Sequence, residues 1–229
     1  MRRASSGLSY DECYQAAGNV LDALADIGED WTCLVGGMAA KLHGVERRVK
    51  DLDIAVLHPY KSEEDIQDDL ADHYSGRFYL VPSQDPEQTF LKPMYRVPGT
   101  THNIKVDLLL GSNPAVEIPS TFHRNHFVKI DGLPVAPLYY ILYHKLLGWD
   151  IRSSDPDRYW KRKQAREKDY PDIIALCKLL YNNGIRPLSK GHMGRPYLCN
   201  YQARAEILAD YYADQGQART HLRRIGIYV

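Results

Sequence analysis

A glycine pair and an aspartate pair at a fixed separation constrain the fold of this chain more than any other feature. Gly36 and Gly37 follow the apolar run at residues 31–35, and Asp51 and Asp53 come after thirteen further residues. Because side chains alternate across a strand, the two aspartates lie on one face and their apolar neighbours lie on the other. The pattern predicts a buried strand, a tight turn leading into a short helix, and a second strand that carries two carboxylates.

A third aspartate repeats this alternation further along the chain. Asp107 stands between Val106 and Leu108 in the strand-like segment 103–110, so it also lies opposite an apolar face. Several carboxylates on one face repel each other, so that face is either wet or holds a cation. Carboxylate oxygens suit Mg²⁺, which prefers a few such ligands together with substrate phosphates. The alternative is that the aspartates are only solvent-exposed residues at strand ends, since a D-x-D pattern often arises by chance.

The composition excludes several classes of protein. With 229 residues and 44% hydrophobic residues, the chain can bury a core as one large domain or two small ones. Its 29 basic and 29 acidic residues balance, so global charge predicts neither a nucleic-acid scaffold nor a membrane-surface protein. Residues 1–7 lack the apolar run of a secretory signal, and no stretch approaches the roughly 18 apolar residues of a membrane span. We expect a cytoplasmic protein without a membrane partner.

The four cysteines support the same expectation. They are scattered along the sequence without a C-x-x-C pair, and three of them, Cys13, Cys33 and Cys177, stand in apolar patterns typical of buried free thiols. Cys199 is the fourth. Cysteine therefore predicts neither a disulfide framework nor a metal site.

Periodicity predicts a mixed α/β half over residues 1–137 and a helical half over 138–229. The helices are predicted over residues 10–27, 38–43, 62–74, 138–149, 171–181 and 202–213. Strands are predicted over residues 31–35, 52–57, 78–81, 90–97, 103–110, 127–130 and 133–135, with Pro134 indicating that one arm of the last hairpin lies at a sheet edge. The segment 152–168 is predicted to be a solvated loop or a frayed extension of a helix. The segment 186–200 is predicted to be a linker or a loop on the surface. The predicted fold class is α/β (α+β), with a mixed sheet flanked by helices and a helical C-terminal region.

The combined pattern resembles the nucleotidyltransferase superfamily, the fold of DNA polymerase β. Its signature is a hydrophobic residue, Gly-Gly or Gly-Ser, a spacer, and an acidic pair with one apolar residue between. The run Gly36-Gly37-Met38-Ala39, then Leu42-His43-Gly44, Arg47 and Lys50-Asp51-Leu52-Asp53 is similar to the bacterial branch of AbiEii-type toxins and small antibiotic nucleotidyltransferases. Val49 stands where that branch often has Thr, which removes a hydroxyl near the phosphates.

The resemblance implies a reaction and a set of site residues. It implies transfer of a nucleoside monophosphate from an NTP such as ATP to an acceptor hydroxyl, with Mg²⁺ as cofactor, Mn²⁺ as an alternative and pyrophosphate as product. By the resemblance, Asp51 and Asp53 hold two metal ions, Asp107 completes the site, and Gly36 and Gly37 contact the triphosphate. The resemblance also implies that the helical half of the chain closes one side of a cleft. The acceptor is tRNA or another RNA, a protein, or a small hydroxylated molecule. Oligomeric state is not predicted.

Several basic residues are further candidates for nucleotide binding. Arg47 precedes the aspartates, and the resemblance ranks it above Lys41; a solvated charge run is the ordinary explanation for both. Lys145 falls on the inward stripe of its helix, where it either reaches the nucleotide phosphates or packs its stem and extends its ammonium to the edge. Asp169 and Asp172 near the start of the next helix either brace the site or only favour the helix dipole.

Two other functions are compatible with the sequence. A non-catalytic nucleotide-binding or interaction protein would keep the fold, although the presence of all three carboxylates argues against it. A metal-dependent hydrolase would use water as acceptor. The pair His123 and His126 invites a zinc interpretation, but no third ligand in the sequence supports it.

Overall fold

The computed structural model describes residues 7–83, 91–155, 158–189 and 193–229. The start of the N-terminal segment, Phe90 of the predicted strand 90–97, and residues within the predicted segments 152–168 and 186–200 lie outside these ranges. The chain forms two compact units, residues 1–41 with 46–135, and residues 42–45 with 136–229.

The first unit contains one mixed sheet and its helices. Its strands are β1 (Thr32–Val35), β2 (Asp51–Val56), β3 (Phe78–Pro82), β4 (Leu91–Arg96), β5 (Asn103–Leu110), β6 (Val128–Ile130) and β7 (Leu133–Val135). Its helices are α1 (Tyr10–Asp26), α2 (Gly36–Leu42, whose last residue belongs to the second unit) and α3 (Glu63–His73). The predicted fold class is confirmed, and every predicted strand is present within a residue or two of its expected ends.

The order of strands in the sheet is β3-β4-β5-β2-β1-β7-β6. Strands β2 and β5 pair in parallel, as do β1 and β7, and the other neighbours pair antiparallel. The parallel pairing of β2 with β5 sets Asp53 opposite Asp107. Two segments that are distant in sequence therefore bring their aspartates together in the middle of the sheet.

The prediction that one arm of the last hairpin lies at a sheet edge is confirmed, because β6 is an edge strand. Pro134 itself lies on β7, between β6 and β1. A proline cannot donate to a strand ladder. It is tolerated here because the register of β7 with β1 is confined to Leu34 and Val135.

Serine caps begin the two longer helices of the first unit. Ser9 and Ser62 each accept a hydrogen bond from the backbone N–H of the third helical residue, and their own backbone N–H groups donate to the side chains of Glu12 and Asp65. Such reciprocal capping satisfies two otherwise unpaired backbone N–H groups. Helix α1 then buries an apolar stripe with Val20 and Leu24 fully inaccessible.

The second unit is helical. It contains α4 (Leu138–Ser153), α5 (Tyr159–Gln164), a π-helical turn (Ala165–Asp169), α6 (Tyr170–Asn182), α7 (Arg195–Tyr211) and α8 (Gln217–Arg224). Ten residues of α4 are buried, which makes it the central helix of this unit. Within the described ranges, no helix combines the length and apolar character needed to cross a membrane.

Three predictions for this unit are wrong in part. The segment 152–168 is largely helical, since α5 and the π-helical turn follow α4 after a short break. Helix α7 begins at Arg195 inside the predicted linker, with a proline in its first turn where no N–H partner is needed. Helix α8 was not predicted, because its eight residues carry few apolar side chains.

Candidate functional site

The three aspartates lie on one face of two adjacent strands. Asp53 on β2 pairs in register with Asp107 on β5, while Asp51 pairs with Lys105. Paired residues on neighbouring strands are about 4.8 Å apart, so their side chains can reach a common point. The opposite face of the same strands is core, since Leu52 is fully buried. The aspartates themselves are only half-buried.

Two of the predicted site side chains, Asp53 and Arg47, pack against the glycine pair. Gly36 begins α2 with a φ of 56°, and a Cβ there would lie 1.9 Å from Oδ2 of Asp53. A Cβ on Gly37 would lie 2.9 Å from Nη2 of Arg47. The backbone N–H of Gly37 donates to Oδ2 of Asp53 at 3.1 Å. Only glycine therefore permits the carboxylate and the guanidinium to approach the turn so closely.

Two lysines that the sequence analysis did not select complete the group. Lys105 forms an ion pair with Oδ2 of Asp107, and Nζ of Lys92 on β4 lies 3.4 Å from Oδ1 of the same carboxylate. We define the strand cluster by five residues: Asp51, Asp53, Asp107, Lys92 and Lys105. Lys105 could have been found from strand alternation, since it precedes Asp107 by two residues and shares its face. Lys92 could not, because its position depends on the pairing of β4 with β5.

Electrostatics connects Lys105 to all three aspartates. Burial lowers the pKa of its ammonium, but the charge and hydrogen bond of Asp107, followed by the charges of Asp51 and Asp53, outweigh burial and raise the pKa. Glu63 lies close by, at the start of α3. Burial raises the pKa of its carboxyl, the charge of Lys92 lowers this pKa, and the charge of Asp107 raises it further. The strand cluster is thus a region of excess negative charge.

The residue types of the strand cluster fit a hard divalent cation. Its three carboxylates share one face, are partly open to solvent, and match the oxygen ligands that Mg²⁺ prefers. In the part of the chain that the structure describes, however, no group of three or more Asp, Glu, His or Cys side chains is arranged to hold a metal ion. Asp107 directs its two oxygens at the lysine ammonium groups instead. The donor chemistry and the register fit a metal, while the side chains stand in an ion-paired arrangement.

The remaining residues of the first unit that the sequence analysis named do not lie together. Arg47 lies beside the glycine turn, as described above, whereas the ammonium of Lys41 lies 5.9 Å from the ring centroid of Tyr10. Val49, which stands where the resemblance implies Thr, is buried. His123 stacks with His126 at 6.1 Å between ring centroids.

Lys145 belongs to a buried ionic group in the second unit. Its ammonium lies 2.9 Å from Oδ2 of Asp172 and 3.7 Å from Oδ1 of Asp169, and Nε of Arg152 donates to Oδ2 of Asp169 at 2.6 Å. We define the helix cluster by these four residues: Lys145, Arg152, Asp169 and Asp172. The inward position of Lys145 is confirmed, because only 7% of the residue is exposed. Its predicted contact with nucleotide stays a prediction.

The contacts of the helix cluster can be compared with the alternative explanation for Asp169 and Asp172, namely that acids at the start of a helix only favour its dipole. Asp169 stands at the start of α6 but makes no side-chain hydrogen bond to the helix N-terminus. It is completely buried and forms ion pairs instead. Ion pairing therefore accounts for the buried charge of Asp169, whereas Asp172 also lies in the first turn of α6, where the helix dipole favours an acid.

Comparison with known proteins supports the fold. No protein-family model and no curated sequence matches this chain. The chain is similar to the crystal structure of an antigenic nucleotidyltransferase-like protein from Paracoccidioides brasiliensis, with a TM-score of 0.64 and 19% identity over 97% of this chain and 95% of that one. JHP933 from Helicobacter pylori matches over 96% of this chain and 91% of its own, at 18% identity and a TM-score of 0.46, which carries no argument here. The chain therefore has a nucleotidyltransferase-like α/β fold.

Proposed function

We propose that this chain is a nucleotidyltransferase that transfers a nucleoside monophosphate from a Mg²⁺-bound NTP to an acceptor hydroxyl and releases pyrophosphate. The observation that carries the proposal is the register of Asp53 with Asp107, next to a glycine turn that holds the Asp53 carboxylate. The fold shared with a nucleotidyltransferase-like protein is consistent with this activity, but does not by itself assign it.

Each predicted site residue on the strands and the glycine turn of the first unit has a proposed role. Asp51 and Asp53 hold the two divalent cations that accompany the NTP, and Asp107 completes the site of the catalytic cation. Gly37 fixes the Asp53 carboxylate through its backbone N–H, and Gly36 leaves room for that carboxylate. We propose that the exposed side of this turn contacts the triphosphate, since a glycine backbone allows phosphate to approach closely.

Arg47 has the proposed role of offsetting triphosphate charge. Its guanidinium lies against Gly37, so a phosphate at the turn would be within its reach. An arginine can donate two parallel hydrogen bonds to phosphate oxygens. For Lys145 we retain the proposal of a nucleotide contact, which has to compete with the two aspartates that already face its ammonium.

The reaction itself is an in-line displacement at the α-phosphorus. The acceptor oxygen forms a bond to phosphorus as the bond to the leaving pyrophosphate breaks. When bound, divalent cations supply Lewis-acid stabilisation of the phosphate charge and lower the pKa of a coordinated hydroxyl. Asp107 can accept the proton of the acceptor hydroxyl once its contact with Lys105 is released, because its carboxylate is only partly buried on the strand face. Mn²⁺ is expected to replace Mg²⁺, since both prefer oxygen ligands.

The acceptor and the biological branch are parts of the same proposal. The Gly-Gly and Asp-x-Asp residues favour the branch of AbiEii-type toxins and small antibiotic nucleotidyltransferases, with tRNA or another RNA, a protein, or a small hydroxylated molecule as acceptor. Val49 is buried, so it offers no hydroxyl to phosphates where the branch often has Thr. We expect this substitution to weaken, rather than abolish, nucleotide binding.

A labelled-nucleotide assay tests the proposal. The full chain is incubated with each NTP, labelled at the α-phosphate, together with Mg²⁺ and a cell extract, and pyrophosphate and labelled macromolecules or small molecules are followed. Labelled adduct with equimolar pyrophosphate from one or more NTPs supports the transferase. Labelled free monophosphate without an adduct would identify a hydrolase, and binding without turnover would identify a non-catalytic protein.

A further inference from the structure

The strand cluster contains a cation of its own. Lys105 stands two residues before Asp107 on β5 and beside Asp51 in register on β2. Its ammonium is in contact with the Asp107 carboxylate. One flexible side chain thus brings a positive charge to the face where all three aspartates lie.

Both oxygens of Asp107 are engaged by lysines. Oδ2 contacts Lys105, and Oδ1 has Nζ of Lys92 at 3.4 Å. Each carboxylate oxygen has two lone pairs, so a lysine contact does not by itself prevent metal ligation, but it places an ammonium charge next to an oxygen that a cation would use. Among the described residues, no acidic group is arranged around a metal position.

We infer that Lys105 is a built-in counter-ion of the strand cluster, which holds Asp107 in the metal-free protein and is displaced from it when a divalent cation binds. The inference rests on the proposed function, because it takes the three aspartates as the cation site. Charge supports it. Within the strand cluster, two ammonium groups oppose three carboxylates, and the charges of all three carboxylates act on Lys105.

The same arrangement predicts a conflict once a divalent cation is present. The ammonium and the cation would then compete for the same carboxylate and repel each other at short range, in surroundings less polar than water. Lys105 can resolve the conflict because its side chain is about one-third exposed and ends on a flexible four-carbon stem. It can swing toward solvent, or toward the phosphates of an incoming NTP.

Lys92 is less suited to this role. Its contact with Asp107 is longer, and the charge of Lys92 also acts on the Glu63 carboxylate, which offers it a second acidic partner. We therefore expect Lys92 to stay near Glu63 when the cation binds. Removal of Lys105 should have the larger effect on metal affinity.

The test compares Mn²⁺ binding by Lys105→Met with that of the wild type, without nucleotide, by electron paramagnetic resonance of free Mn²⁺. Methionine keeps a long stem but removes the charge. Lys129→Met is the matched control, because Lys129 is exposed on β6, four strands away in the same sheet. We expect Lys105→Met to bind Mn²⁺ about tenfold more tightly than wild type through loss of the repulsion. The control should bind like wild type.

Thermal unfolding gives a second readout. In EDTA, Lys105→Met should unfold at a lower temperature than wild type, since its aspartates have lost their counter-ion, and saturating Mn²⁺ should narrow the difference. Equal or weaker Mn²⁺ affinity of the folded variant would overturn the inference.

A measurement on wild type keeps the inference testable if the variant does not fold. Crystal structures of the full chain with and without Mn²⁺ should show the Lys105 ammonium leaving Asp107 when the ion is bound. An ion held by the aspartates with the ion pair intact would contradict the inference. Failure of the proposed function is a separate result, namely Mn²⁺-loaded wild type that forms no adduct and no pyrophosphate in the assay above.

Discussion

The strand cluster and the helix cluster both combine aspartates with basic side chains, but they differ in charge balance and in exposure. The strand cluster has three acids for two bases, and the Asp107 side chain is 23% exposed. The helix cluster has two acids for two bases, and the Asp169 side chain is 0% exposed. A balanced group around a buried carboxylate is satisfied by its own members, whereas a half-open group with more acids than bases is the better place for a cation from solution. Under the proposed function, we expect ligand binding at the strand cluster and stabilisation at the helix cluster.

The largest expected effect is on activity, at the strand cluster. Asp53→Asn should reduce nucleotidyl transfer by about 10²–10³-fold or more, because the amide keeps the hydrogen bond from Gly37 but loses the negative charge that binds the cation. Initial rates of adduct and pyrophosphate formation measure this. Asp68→Asn on the exposed surface of α3 is the control and should keep full activity. A folded Asp53→Asn variant with rates close to wild type would remove this aspartate from the site.

The next effect is on stability, at the helix cluster. Asp169→Ala should lower the free energy of unfolding by about 3–5 kcal/mol, because it leaves Arg152 without its carboxylate and leaves the buried Lys145 with Asp172 alone. Urea titration followed by circular dichroism measures this. Asp107→Ala should change the free energy of unfolding by at most about 1 kcal/mol, since its ion pairs are partly exposed. The comparison breaks if Asp107→Ala is the more destabilising of the two.

A smaller effect is expected at the glycine turn. Gly36→Ala would place its Cβ against Asp53 and should reduce transfer by about 100-fold, as misplacement of a positioned group by about 1 Å does. Gly28→Ala is the matched control, since Gly28 also has a positive φ, at 94°, but no atom would lie within 4 Å of its Cβ. Both substitutions carry a similar backbone strain of about 1–2 kcal/mol. Equal loss of activity in the two variants would show that strain, and not displacement of Asp53, is responsible.

The smallest expected effect is a change in KM on substitution of Lys145, and it tests whether the helix cluster takes part in nucleotide binding. Lys145→Met and Arg152→Met should both destabilise the chain, because each removes one base from the helix cluster. If Lys145 also contacts the triphosphate, only its substitution should raise KM for the NTP, by about tenfold for a lost charge-assisted hydrogen bond. Steady-state kinetics well below the unfolding temperatures separate the two roles. Matching KM values would confine Lys145 to stabilisation.

The sequence predicted the strand cluster better than the helix cluster, for a physical reason. Strand alternation is a local property, so the faces of Asp51, Asp53 and Asp107 follow from their neighbours alone. The fold then needed only the parallel pairing of β2 with β5 to bring them together. The inward position of Lys145 was also local, because helical spacing determines it.

The parts that the sequence missed depend on contacts between distant segments. The pairing of Lys92 with Asp107 needs the antiparallel register of β4 and β5. The ion pair of Arg152 with Asp169 joins α4 to the π-helical turn across seventeen residues. A charged segment such as 158–168 resembles a solvated loop in sequence, but burial of Ala165 and Asp169 holds part of it in helical form.

The most direct test of the central claim is a crystal structure of the full chain with Mn²⁺ and an NTP analogue that has a non-hydrolysable link between the α- and β-phosphates. Anomalous scattering then locates the ion independently of the protein atoms. The account predicts Mn²⁺ coordinated by carboxylate oxygens of Asp51, Asp53 and Asp107 at about 2.0–2.3 Å, with the triphosphate at the turn of Gly36 and Gly37. A nucleotide bound with its ion away from these aspartates would contradict it.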